Sequence, residues 1–288
     1  DQPSDSIITW TTKTFHDTIT HYYKASLQPE AELEQLHISA FKGILTSDTT
    51  NRHLRPSLFD LLAYRALSFF ESDEPVAKYP GNVYLAKDSS YFAPAKPFIN
   101  KQIQAPDSSA SVYQAVKIYQ RLLHTHLKDS TYAALIHSDL NRLAFVKKAS
   151  TLPKAQKNRL YYRALNRILE RYPDTSIKAD VYYQQAQLAN SGYVPYDFPA
   201  LPHKQIALRI CEKAIKKYPG SFGAHNCQVL RQQIQAPNLS MQLENTYLPL
   251  EPGKFLLNYK NVDSIYYKII PVPVNRLHRY QHMRDEAL

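Results

Sequence analysis

The spacing of apolar residues changes period once along this chain, near Pro237, and no other feature limits the available folds as strongly. Before that point apolar side chains recur at three- and four-residue steps, as helices with one buried face require. After it they alternate, as half-buried strands require. The chain is therefore expected to be mostly α. Stacked antiparallel helical hairpins are expected over 1–236, and a short, incomplete β-sandwich segment over 237–288.

Within the helical part, Ile8, Phe15, Ile19 and Tyr22 predict a first helix, and Leu33, Leu36, Ala40, Phe41 and Ile44 a second. Leu58, Leu61, Leu62, Ala66 and Phe69 predict a third, with Pro56 in the first-turn position that tolerates proline. Between 72 and 110 the period fails. Pro75, Pro80, Pro94, Pro97 and Pro106 remove backbone donors there, so the stretch reads as a long surface loop. Helices return over 109–127, 131–148, 154–172, 176–190, 204–218 and 221–235, with links short enough to make neighbours antiparallel. Two links repeat: Tyr172-Pro173 and Tyr218-Pro219 each close a helix, with Ser176 and Ser221 near the next start. Before Pro219, Ala207, Cys211 and Ala214 take the small- and bulky-residue positions of the second helix of a tetratricopeptide repeat, so TPR-like stacking of the hairpins is expected over 1–236. Stacking buries faces that no single hairpin covers.

After Pro237, strands are expected at Leu239–Leu243, Phe255–Tyr259 and Ile265–Ile270, with Pro252-Gly253 and Asn261 in the turns between them. So little strand does not close a sandwich, which would then be completed by other parts of a longer chain. The last residues carry no helix-ending signal and read as a boundary inside such a protein.

Several functions lose their footing in the composition. No stretch approaches the ~20 apolar residues of a membrane-spanning helix. The six glycines do not form a nucleotide-binding spacing, and no Gly-x-Ser-x-Gly occurs. The chain reads as a non-enzyme with no cofactor and no metal. His124 and His126 diverge on a helix, while His278 and His282 share a face without a zinc-protease glutamate, so all four read as surface histidines. In the tyrosine pairs Tyr22-Tyr23, Tyr161-Tyr162 and Tyr182-Tyr183, one ring is expected to pack and the other to rim a groove.

Charge and cysteine leave two candidate sites. The net charge is +10, and from Arg142 to Arg171 nine Lys or Arg face one acid, Glu170. Arg159, Arg163, Arg167 and Arg171 form a stripe on one helix face, either solvated or turned to an acidic partner. No aromatic side chains are interleaved for base stacking, which argues against nucleic acid. Cys211 and Cys227 stand equally far from Pro219, so a hairpin folded there brings them level on facing helices. That geometry admits a disulfide in an oxidising compartment or two separately buried thiols.

The segment Leu54-Arg55-Pro56-Ser57-Leu58-Phe59-Asp60-Leu61-Leu62-Ala63-Tyr64-Arg65-Ala66-Leu67 resembles the N-terminal helical region of a long subgroup of bacterial alpha-2-macroglobulin-like proteins. Leu140-Asn141-Arg142-Leu143-Ala144-Phe145-Val146, Gly223-Ala224-His225-Asn226-Cys227, Leu248-Pro249-Leu250-Glu251-Pro252 and Tyr259-Lys260-Asn261-Val262-Asp263 follow in that family's order, so the resemblance spans nearly the whole chain. It implies an exported protein of the Gram-negative envelope, in the periplasm or at the outer membrane, whose helical region precedes macroglobulin β-sandwiches and whose activity is protease inhibition. It also favours a Cys211–Cys227 bridge. The family's thioester motif, Cys-x-x-Glu-Gln, is absent, because Cys211 is followed by Glu212-Lys213-Ala214 and Cys227 by Gln228-Val229-Leu230. The expected role is a docking or spacer arm, with the parent's other domains and envelope proteins or proteases as partners. The alternative is a freestanding surface scaffold for protein, peptide or glycan.

Overall fold

A computed structural model describes residues 7–45, 52–72, 88–104, 110–198, 200–243, 252–268, 270, 271 and 273. Among them are ten α-helices and one two-stranded antiparallel sheet. The chain divides into two units, Asp1–Arg231 and Gln232–Leu288.

The first unit opens with α1 (Thr12–Ser26), whose free N–H groups are capped by the Thr11 hydroxyl accepting from Thr14 N at 3.1 Å. The second predicted helix is not continuous. α2 covers only Glu30–Gln35, and a 3-10 turn follows at Ile38–Phe41. Between them the backbone extends to pair with the approach to α3 (Leu58–Phe70): Leu58 N donates to the Leu36 carbonyl and Ile38 N to the Pro56 carbonyl, both at 2.8 Å. Those cross-chain bonds replace the helical ones, and Leu36 and Ile44 end exposed. Pro56 is also not in the first turn of α3. Ser57 is the N-cap, in a capping box with Asp60.

The expected loop over 72–110 needs the larger correction. Residues 73–87 and 105–109 lie outside the described residues, but 88–104 hold a 3-10 turn at Ser89–Phe92 and α4 (Ala95–Ile99). Tyr91, Phe92 and Phe98 are buried there. The prolines do not forbid this, because Pro94 is the N-cap of α4 and Pro97 sits in its first turn, where N–H groups have no intrahelical acceptor. At the other end, Gln120 Nε2 donates to the carbonyls of Phe98, Ile99 and Lys101 at 2.8–3.2 Å. Aromatic burial worth roughly 1.5–3 kcal/mol per side chain outweighs the lack of helical period.

The remaining helices are α5 (Ser111–His126), α6 (Ala133–Ala149), α7 (Lys154–Arg171), α8 (Lys178–Asn190), α9 (His203–Lys217) and α10 (Phe222–Gln235). From α5 to α9 each packs on the next, and α3 and α4 pack on α5. One hydrophobic cluster runs from Leu27 to Leu188, centred on Phe59, Phe98, Leu122, Leu135 and Leu165. The helices beyond α8 join through small residues. Ala207, Cys211 and Ala214 are buried on α9, Ala224 and Cys227 on α10. Gly223 lies so close to α8 that an added Cβ would come within 2.3 Å of backbone atoms of Ala179 and Asp180.

In the second unit, β1 (Asn238–Leu243) pairs with β2 (Phe255–Lys260), placing Leu239, Met241 and Leu243 opposite Tyr259, Leu257 and Phe255. Alternation gives this hairpin one wholly apolar face, yet Leu239, Met241, Leu243, Phe255 and Tyr259 are all at least half exposed. The third expected strand is absent among the described residues, since Ile265–Lys268 have no strand partner. Asn261, with φ of 53°, turns the chain instead. Its side chain donates to the carbonyls of Ile234 at 2.8 Å and Ala236 at 3.2 Å, a role suited to a residue that tolerates the left-handed region.

Candidate functional site

Three buried polar arrangements stand in the first unit, and none was foreseen from spacing. The first centres on His126 of α5, expected at the surface but buried. Its Nε2 lies 2.8 Å from Asp60 Oδ1 and its Nδ1 2.7 Å from Asp129 Oδ2. Burial pushes the imidazole pKa down, but the Asp60 and Asp129 carboxylates outweigh it and hold the value above that of an ordinary histidine. Asp60 also accepts from the Ser57 backbone at 2.9 Å, so one buried carboxylate joins the cap of α3 to the end of α5.

The second centres on Arg142 of α6, 1% exposed and paired with Asp139 at 2.6 Å. Its guanidinium donates to the carbonyls of Tyr91 at 2.7 Å and Ala93 at 2.9 Å, and lies 4.3 Å from the Phe98 ring centre. This side chain anchors the segment that reads as a loop. Here the arginine stripe also breaks up. Arg159, Arg163 and Arg171 are exposed on α7, whereas Arg167 is partly buried and donates to the Phe92 carbonyl. The four do not form a free cationic face.

The third arrangement lines a cleft of about 500 Å³. The even-numbered helices supply one wall: His137, Leu140 and Asn141 from α6, Asp180, Tyr183 and Gln184 from α8, Phe222 and Asn226 from α10. Opposite them stand Ile38, Leu54, Leu61, Arg52 and Arg55. Arg55 donates to His137 Nε2 at 3.3 Å and lies 3.7 Å from the Tyr64 ring centre. Burial, then the Arg55 charge, lowers the His137 pKa to about 4, so the ring is neutral and accepts. Burial raises the Asp180 carboxyl to about 6. Arg52 Nε and Nη1 are buried without a hydrogen-bond partner.

Of the other expected residues, Cys211 and Cys227 do come together across α9 and α10. Both are buried, with their thiols free. The hydrogen bond from Cys227 lowers the Cys211 pKa, and the bond to Cys211 together with burial raises that of Cys227. Tyr183 rims the cleft while Tyr182 is buried, and Tyr22 is exposed while Tyr23 packs on Phe69 and Phe70. Tyr161 and Tyr162 are both buried, against expectation. His278 and His282 lie outside the described residues. Among the described residues no His, Cys, Asp or Glu cluster is placed to hold a metal, and no helix is long and apolar enough to cross a membrane.

Fold and site together define a mostly helical chain of consecutively packed helices with a mixed polar and apolar cleft along one side. No family model, curated protein or solved structure matches the chain.

Proposed function

We propose that this chain is a non-catalytic docking region of an exported, alpha-2-macroglobulin-like protein of the Gram-negative envelope, in the periplasm or at the outer membrane, whose parent inhibits proteases. The observation that carries the docking role is the cleft, whose wall is built from alternate helices of the stack and whose volume falls in the range of ligand-binding pockets. The uncovered apolar face of the β1–β2 hairpin supports the second part of the proposal. A two-stranded sheet is marginal in water, and the other domains of the parent would cover it as the opening of a macroglobulin sandwich.

Replacing Tyr183 by photoreactive p-benzoylphenylalanine and irradiating the chain in a Gram-negative envelope extract tests the docking role. A discrete envelope protein is expected to crosslink at Tyr183 and not at the exposed Tyr22. Identical labelling at both positions, or none, would remove it. A freestanding scaffold for protein, peptide or glycan is the second reading; it uses the same cleft but leaves the apolar hairpin face without an occupant.

A further inference from the structure

The cleft holds an electrostatic imbalance that its own residues do not resolve. Arg52 lines the cleft, and two of its guanidinium nitrogens, Nε and Nη1, are buried with no acceptor among the described residues. Buried charged donors left unpaired are costly, and a carboxylate is an acceptor of matching charge for a guanidinium N–H. Arg55 stands beside it on the same wall and spends two of its nitrogens on the neutral His137 ring. Both arginines come from the 3-10 turn at Arg52–Leu54 and the residue after it, outside the helical stack that forms the opposite wall.

Among the described residues, the charged and titratable groups lining the cleft are Arg52, Arg55, His137, Asp180 and Tyr183. At neutral pH His137 and Tyr183 are uncharged and Asp180 is ionised, so these described groups together carry one net positive charge. That balance suits a monoanion; a phosphate dianion would set its second charge among apolar side chains and near the Asp180 carboxylate. Beside the arginines stand Leu54, Leu61, Leu140 and Phe222 for apolar side chains, and Gln184 and Asn226 for main-chain groups. The Gln184 carbonyl already accepts from Tyr161 at 3.0 Å, which leaves its NH2 as donor. A space of about 500 Å³ holds a short chain end better than a segment running through it.

We infer that the cleft binds the free C-terminal carboxylate of a short apolar peptide, with Arg52 and Arg55 as the paired cations that seat it. This names the ligand chemistry of the docking site proposed above and rests on that proposal. The test uses the whole 288-residue chain and fluorescence anisotropy with fluorescein-labelled tetrapeptides of leucine, valine and phenylalanine. One pool ends in a free carboxylate, a second in a C-terminal amide, and a third is amidated but carries one glutamate side chain.

The acid pool is expected to bind at least about tenfold more tightly than either amide pool. Arg52→Gln and Arg55→Gln should each weaken the acid pool about tenfold, Arg52→Lys should fall between Gln and the original residue, and Arg159→Gln on α7 should leave binding unchanged. Equal binding of acid and amide pools, or no loss in Arg52→Gln, overturns the inference. Equal binding of the glutamate pool overturns the choice of a chain end. If the Tyr183 crosslink captures an envelope protein while the acid pool fails to bind, the carboxylate chemistry falls and the docking site stands; if both fail, both fall.

Discussion

The region from α3 to α7 and the stack from α8 to α10 solve one packing problem by opposite means. The first joins distant segments through buried ionic and polar groups: His126 between Asp60 and Asp129, Arg142 between Asp139 and two carbonyls. The second has few such links and closes by bringing backbones together through Ala179, Ala207, Ala214 and Gly223. Polar anchors tolerate irregular segments such as 88–104, because each directional bond fixes one strand of chain. Small-residue contacts tolerate only regular helices, because any added atom meets backbone.

Removing a polar anchor should have the largest effect. Arg142→Ala leaves Asp139 without this buried partner and removes one donor each from the Tyr91 and Ala93 carbonyls, so a loss of about 3–5 kcal/mol is expected in urea unfolding. Trypsin should then cut within 88–104 under native conditions. A loss under 1 kcal/mol would place the strength of this region elsewhere.

Adding one carbon to the stack should come next. Gly223→Ala drives a Cβ into the backbone of Ala179 and Asp180, with an expected loss of about 1–3 kcal/mol and faster amide exchange in α8 before α6. Unchanged stability would show that α10 shifts freely and that the close approach is incidental.

The cleft gives a contrast that depends on pH, because two groups on one of its walls titrate in opposite directions. The folded Asp180 carboxyl keeps its proton up to about pH 6, whereas the unfolded one loses it near 4, so the folded state loses stability as pH rises through that window. His137 resists protonation down to about pH 4 when folded, against about 6.5 when unfolded. Its contribution is complete above the unfolded value and lost as pH falls toward 4. Asp180→Asn should therefore gain about 2–3 kcal/mol over the original chain at pH 8 and nothing below pH 4, leaving the acid sensitivity of His137 unopposed. A gain that is the same at pH 4 and pH 8 would show that Asp180 does not titrate as its burial requires.

Much of the stack was legible in the sequence. Helices from Ser111 onward begin and end within a few residues of their expected positions, and the period change at Pro237 does mark the start of β1 at Asn238. The Tyr-Pro links place Cys211 and Cys227 level with each other, because helical rise is fixed by local geometry. The anchors were not legible. His126 carries no neighbourly sign of Asp60, sixty-six positions away, and its sequence context reads as that of a surface residue. Arg142 sits among many other basic residues, with nothing local to distinguish a buried cation from a solvated one. The cleft leaves no linear trace for the same reason, although the tyrosine pair Tyr182-Tyr183 does point to one ring at a groove.

Periodicity, proline position and small-residue spacing determined which segments are helical, where pleated structure begins and which faces close on one another, since these depend on contacts within a turn or two. Tertiary structure alone decided which polar side chains leave water. A histidine or arginine is stable in the interior only if its partner arrives from another part of the chain, and so a linear pattern holds no record of the pairing. Arg52, with two buried nitrogens unmet, is one of the places among the described residues where this chain leaves that requirement open.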